Sequence, residues 1–150
     1  MTPTRQFCTF FLGGNFFGLD LRYVLEINRI QSITKVPLAS DTIRGLLNIR
    51  GEIITCLDTR VALGMQTFPQ DAEPMNIVVR AGQEQVCLTV DAVDDIIDVH
   101  LDALDAVPSR VPWEIRRVAS QVYALPGQIM LVFDGVEAII PSRQRRQQSL

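Results

Sequence analysis

Clustered positive charge, reactive side chains and long apolar runs are all scarce in this 150-residue chain, and each shortage removes a class of function. Its 14 Lys and Arg are spread against 17 Asp and Glu, apart from Arg143, Arg145 and Arg146 near the end, for a net charge of −3. A duplex binder needs grouped cations to displace phosphate counterions, so nucleic acid is not an expected partner. No apolar run approaches the roughly 20 residues that cross a bilayer. The stretch from Phe7 to Leu12, with one cation before it at Arg5, is too short and too aromatic for a signal peptide. Direct membrane insertion is not expected; a cytoplasmic location is.

Nucleophiles and metal ligands are equally sparse. Cys8, Cys56 and Cys87 are odd in number, lie far apart in sequence and have no CxxC spacing, which argues against a disulfide framework and a zinc site. Three reduced, buried thiols are the expectation. The single histidine, His100, follows the acidic strand Asp94-Asp95-Ile96-Ile97-Asp98-Val99 and has no serine or cysteine motif to pair with. It reads as a surface residue near a strand end. Gly13-Gly14-Asn15-Phe16-Phe17-Gly18 lacks the Gly-Lys-Ser/Thr ending of a phosphate loop. The carboxylates from Asp91 to Asp105 lack EF-hand spacing and alternate with apolar residues, as on a solvated strand face. No catalytic residue, cofactor or metal is expected, and a binding role is the default.

What the chain has in quantity is strand-like segments divided by tight turns. Phe7–Leu12 and Phe16–Asp20 flank Gly13-Gly14-Asn15, and Leu46–Ile49 and Ile53–Leu57 flank Arg50-Gly51. Asn76–Arg80 and Val86–Val90 form another hairpin, Ala92–Val99 a further strand, and Val118–Leu125 with Gln128–Asp134 a last hairpin around Pro126-Gly127. Between them, Leu21, Val24, Leu25 and Asn28 fall at helical spacing after Asp20, a suitable N-cap, and predict a short helix over 21–28. Ile33–Pro37 reads as a short strand, Ser40–Gly45 and Thr59–Gly64 as helical turns closed by glycine, and 66–74 as a loop. The fold class is all-β with short helices, a barrel or sandwich.

The order of these features is similar to that of the CheW-like family, the adaptors of bacterial chemosensory arrays. The resemblance is carried by Phe17-Gly18-Leu19-Asp20-Leu21, Val24-Leu25-Glu26-Ile27, Asn48-Ile49-Arg50-Gly51, the apolar strand ending in Asp58-Thr59-Arg60, and Val90-Asp91-Ala92-Val93. The family's hallmark Asn-Leu-Arg-Gly and Asp-Leu-Arg each carry one mild substitution here.

This resemblance implies two packed, five-stranded SH3-like barrels over residues 6–140, with an extension at 1–5 and a polar, basic tail at 141–150. It implies a stand-alone, non-catalytic adaptor with two partners: the regulatory domain of a CheA-type histidine kinase, and the cytoplasmic tip of a methyl-accepting chemoreceptor lying in an apolar groove between the barrels. A scaffold of a non-flagellar chemosensory pathway, controlling pili or a second messenger, is the alternative. The candidate partner-binding residues are Val24, Glu26, Ile27, Asn48, Arg50 and Gly51. Arg50 is the expected contact, and Glu26 either pairs with it or meets a receptor cation. Val24 and Ile27 either line the groove or enter the core, while Asn48 and Gly51 shape the turn.

Overall fold

The computed structural model describes residues 2–141. Eleven strands run in the order β1 (Thr4–Leu12), β2 (Asn15–Asp20), β3 (Val24–Asn28), β4 (Ile43–Ile49), β5 (Glu52–Asp58), β6 (Met75–Ala81), β7 (Glu84–Val90), β8 (Ala92–His100), β9 (Asp105–Ala106), β10 (Ala119–Leu125) and β11 (Gln128–Phe133). Two single-turn helices interrupt them, α1 (Thr59–Ala62) and α2 (Trp113–Arg116), together with 3₁₀ turns at Leu21–Tyr23, Leu101–Ala103 and Val136–Ile139.

The strands form two mixed sheets. The first, in the order β8-β1-β2-β11-β10-β9, takes its strands from both ends of the chain; the second, β3-β6-β7-β5-β4, is built wholly from the middle. Each sheet holds one parallel pairing, β11 with β2 and β5 with β7, so neither is a simple meander.

Three apolar clusters account for this arrangement. Phe10, Phe17 and Phe133 of the first sheet meet Leu57, Ile77, Val79 and Leu88 of the second in a shared core. Phe17 stacks on Phe10 at 5.4 Å and meets the Phe133 ring edge-on at 5.4 Å, geometries that aromatic pairs prefer. A second cluster, Phe7, Phe16, Val99, Tyr123, Met130 and Val132, fills the first unit, and a third, Leu47, Ile54, Cys56, Val78 and Cys87, fills the second. Each unit therefore has its own interior besides the face shared with its neighbour, as two packed barrel-like units require.

The second unit draws its edges together. Thr34, beyond the end of β3, bridges Leu46 of β4 through reciprocal backbone hydrogen bonds of 2.9 and 2.7 Å. Gly45 permits this approach: a Cβ there would lie 2.5 Å from the Thr34 carbonyl oxygen, and its φ of +151° is one that side chains disfavour. Gly45 thus belongs to β4, beside a register shift, and closes no helical turn. The strand expected at Ile33–Pro37 is reduced to this one bridge.

The helix expected over 21–28 is also corrected. Asp20 does cap a turn, accepting the Arg22 backbone N–H at 3.0 Å, but that turn ends at Tyr23. Val24–Asn28 continues as β3, paired antiparallel with β6. The spacing that mimics a helix spans little more than two turns, and the β6 ladder supplies backbone partners that so short a helix cannot match. The turn at Thr59–Gly64, the loop at 66–74 and the predicted hairpins are present. The three cysteines are buried and form no disulfide, and Cys56 lies opposite Cys87 in the β5–β7 ladder with their Sγ atoms 3.2 Å apart. Of the basic tail, all but Pro141 lies outside the described residues.

Candidate partner-binding site

The β4–β5 hairpin has a two-residue tip. Ile49 pairs with Glu52, leaving Arg50 and Gly51 as the turn, with φ of +52° and +86°. Both residues in the left-handed region make a type I′ turn, whose twist matches the flanking strands. Asn48 helps to hold it, its Oδ1 accepting the Gly51 N–H at 3.1 Å. Gly51 carries the positive φ freely, whereas Arg50 adopts it at a cost of about 1 kcal/mol. Asn48 and Gly51 thus act in the turn, and its geometry projects Arg50 with its side chain 85% exposed.

Glu26 reaches Arg50 from β3, Oε1 to Nη2 at 3.0 Å. An ion pair with one partner so exposed contributes about 0–1 kcal/mol. The other carboxylate oxygen accepts the Asn28 Nδ2–H at 3.0 Å, so Glu26 is held from both sides.

A register shift between Val24 and Glu26 sorts the remaining candidates. Val24, Glu26 and Asn28 are half-buried, while Leu25 and Ile27 are exposed. Val24 and Ile27 pair with Val79 and Ile77, two apart on β6, so the shift brings both to one face; Val24 packs against the shared core there, while Ile27 is left exposed. Leu25, exposed at the register shift, was not among the candidates. Ile53, opposite Asn48 next to the hairpin tip, is also exposed and was missed.

A cleft of about 660 Å³ opens between the two units, lined on one side by Phe7, Leu19 and Val132 and on the other by Val79, with Tyr23 just before β3. Asp20 also lines it. Burial alone would raise the Asp20 carboxyl, but hydrogen bonds from the Arg22 side chain and backbone N–H outweigh this and hold it below its ordinary range. Val24, Ile27 and Arg50 are not among the residues lining this cleft.

Of the other motif residues, Asp58 holds α1, and Arg60 and Asp91 join the two units. Asp58 caps α1, its Oδ1 accepting the Val61 N–H at 3.0 Å, and its Oδ2 accepts the Thr67 hydroxyl. Arg60 makes a bidentate pair with Asp91, Nε to Oδ1 at 2.6 Å and Nη2 to Oδ2 at 2.9 Å, and its guanidinium lies 5.3 Å from the Phe68 ring centroid. Asp91 also accepts the Gly13 N–H at 2.8 Å, so one carboxylate joins the β1–β2 turn of the first unit to α1 of the second. Asp94, Asp95 and Asp98 stand exposed along β8, and His100 is exposed at its end.

A family model described as the CheW-like domain matches residues 6–144. The chain belongs to the CheW-like family. It is 28% identical over 143 residues to a chemotaxis protein CheW of Klebsiella aerogenes, covering 95% of this chain and 86% of that one. A chemotaxis protein CheW of Rhizobium meliloti is 27% identical, with 94% and 90% covered. In fold it is similar to the scaffolding protein TtCheW of Thermoanaerobacter tengcongensis, with a TM-score of 0.78, 24% identity, and 89% and 90% of the two chains covered. Within this CheW-like chain, the motif residues divide into a pair joining the two units, Arg60 and Asp91, with Asp58 capping α1 beside it, and a group presented to solvent, centred on Arg50.

Proposed function

We propose that this chain is a non-catalytic chemotaxis adaptor that couples methyl-accepting chemoreceptors to the regulatory domain of a CheA-type histidine kinase. One observation carries the reading: the arginine of the family's turn motif is held at a hairpin tip with its guanidinium outside the fold, at an energetic cost the turn itself does not need. A guanidinium presented this way offers a planar fork to a partner carboxylate or carbonyl. Exposed Ile53 beside it supplies apolar area for the same contact.

The cleft between the units is the counterpart of the groove that the resemblance implies for the receptor tip. Tyr23, exposed at its edge, is the apolar surface it offers to a helical partner, while Phe7, Leu19, Val79 and Val132 back it from the core. Among the described residues no helix is long and apolar enough to cross a membrane, so this adaptor would reach receptor arrays through its partners. Its contribution is geometric: by fixing kinase and receptor relative to each other, it lets a shift in the receptor change the kinase's population of active states. The names of the relatives favour chemotaxis over a pili or second-messenger pathway.

The test is co-assembly of wild type and Arg50→Ala with a CheA-type kinase and a receptor cytoplasmic fragment. The variant is expected to melt like wild type and assemble poorly. Normal assembly by a folded Arg50→Ala protein would remove Arg50 from the contact.

A further inference from the structure

We infer that Asn28 and Asn76 are positioning residues for Arg50, linking the exposed guanidinium to the interior of the second unit through a continuous chain of polar side chains. Asn76 is fully buried. It stands opposite Asn28 in the β3–β6 ladder and opposite Thr89 in the β6–β7 ladder, so the three residues form one rung across adjacent strands. Its Nδ2 donates to Asn28 Oδ1 at 3.0 Å and to the Ile30 carbonyl at 2.7 Å, and its Oδ1 accepts the Thr89 hydroxyl at 3.1 Å. Thr89 lies 3.1 Å from Cys56 Sγ and accepts from Arg44 Nη1 at 3.4 Å.

Asn28 is the relay. Its Oδ1 accepts from Asn76 and from the Ile30 N–H at 3.0 Å, which leaves its Nδ2 pointing at Glu26. Three independent contacts agree on that orientation of the amide. Glu26 then gives one oxygen to Asn28 and the other to Arg50. A glutamate held by Arg50 alone would be free to swing, because its partner is solvated and the pair is weak. With Asn28 fixed from within, the carboxylate is stationary and the guanidinium has a defined direction. Binding through a pre-oriented side chain avoids the entropy of fixing it on contact. A polar rung inside an apolar unit costs desolvation, and a fully satisfied one specifies a single arrangement.

The positioning stands on geometry; its effect on partner binding rests on the function proposed above. Asn28→Asp severs the relay selectively. It keeps an oxygen for Asn76 and the Ile30 N–H, and it replaces the donor facing Glu26 with a second carboxylate oxygen. Asn28→Ala is the companion variant, should the added charge disturb folding.

Two readouts keep the claims apart. In the free protein, the Arg50 side-chain Nε signal, followed by NMR, is expected to move and sharpen toward that of an unpaired arginine in the Asn28 variants. An unchanged signal in a folded variant overturns the inference whatever binding does. Affinity for the kinase regulatory domain is then measured in a cycle with Arg50→Ala. Asn28→Asp should weaken binding about three- to tenfold in the wild-type background and not at all in the Arg50→Ala background. Equal loss in both backgrounds means that Asn28 acts independently of Arg50 and overturns the inference. If the Arg50 signal moves while Arg50→Ala itself leaves both partners' binding unchanged, the positioning is supported and the proposed contact is what fails.

Discussion

Two arginine–carboxylate pairs, both from motifs of the family, do opposite things in this molecule. Arg60 and Asp91 are each 24% exposed at the side chain, meet in a bidentate pair, and gather a backbone N–H from the other unit. Arg50 and Glu26 meet through one contact, with the arginine outside the fold. The first pair is shielded and geometrically complete, so its loss should be felt in stability. The second is solvated and incomplete, so little of the fold depends on it and most of its donors are left for something else. Motif membership alone does not separate these roles; burial and the number of satisfied contacts do.

The same contrast runs along β3 and gives the largest expected effect. Val24→Asp places a charge against the shared core and should cost at least about 2 kcal/mol, whereas Ile27→Asp, on the same face but open to solvent, should stay within about 1 kcal/mol. Denaturant melts of both variants check this. Equal losses would mean that Ile27 belongs to the interior as much as Val24 does.

Arg60→Ala should follow, at about 1.5–3 kcal/mol, because it strips a charged group of two hydrogen bonds in a partly shielded site. The unfolding midpoint should shift with the denaturant slope unchanged. A loss under about 0.5 kcal/mol, the level of an ordinary surface change, would erase the distinction between the two pairs.

A smaller, pH-dependent effect comes from Asp20, whose folded carboxyl lies below its ordinary value of 3.8 because of Arg22. The unfolded chain takes up this proton more readily, so the contribution is present above about pH 4 and is lost as pH falls through the folded value. Stability measured from pH 5 to 2 should fall more steeply for wild type than for Asp20→Asn. Parallel curves would show that Arg22 does not favour the charged form in solution.

Much of this contrast was legible in the sequence. Arg50-Gly51 and Pro126-Gly127 mark hairpins because their turn chemistry is local, and Gly64 marks the end of the helical turn from Thr59 for the same reason. The Arg50–Glu26 pair was one of two readings open for Glu26, and the structure contains it. β3 was illegible as a strand because Leu21, Val24, Leu25 and Asn28 satisfy helical spacing, while its partner β6 lies far along the chain. The relay from Asn28 to Asn76 was hidden by the same separation, 48 positions. Between Leu101 and Arg117, a 3₁₀ turn, a two-residue strand and a one-turn helix are too short to leave a periodic signal.

The most direct measurement pairs stability with partner affinity in Arg50→Gly. Glycine adopts the +52° φ of this position without strain, so the turn survives and only the guanidinium is removed. The expected result is a stability within about 1 kcal/mol of wild type, since relief of backbone strain offsets the lost ion pair and the added freedom of the unfolded chain, together with clearly weakened binding of the CheA-type kinase or the receptor fragment. A variant that loses its fold, or one that folds and binds both partners as wild type does, would contradict the account.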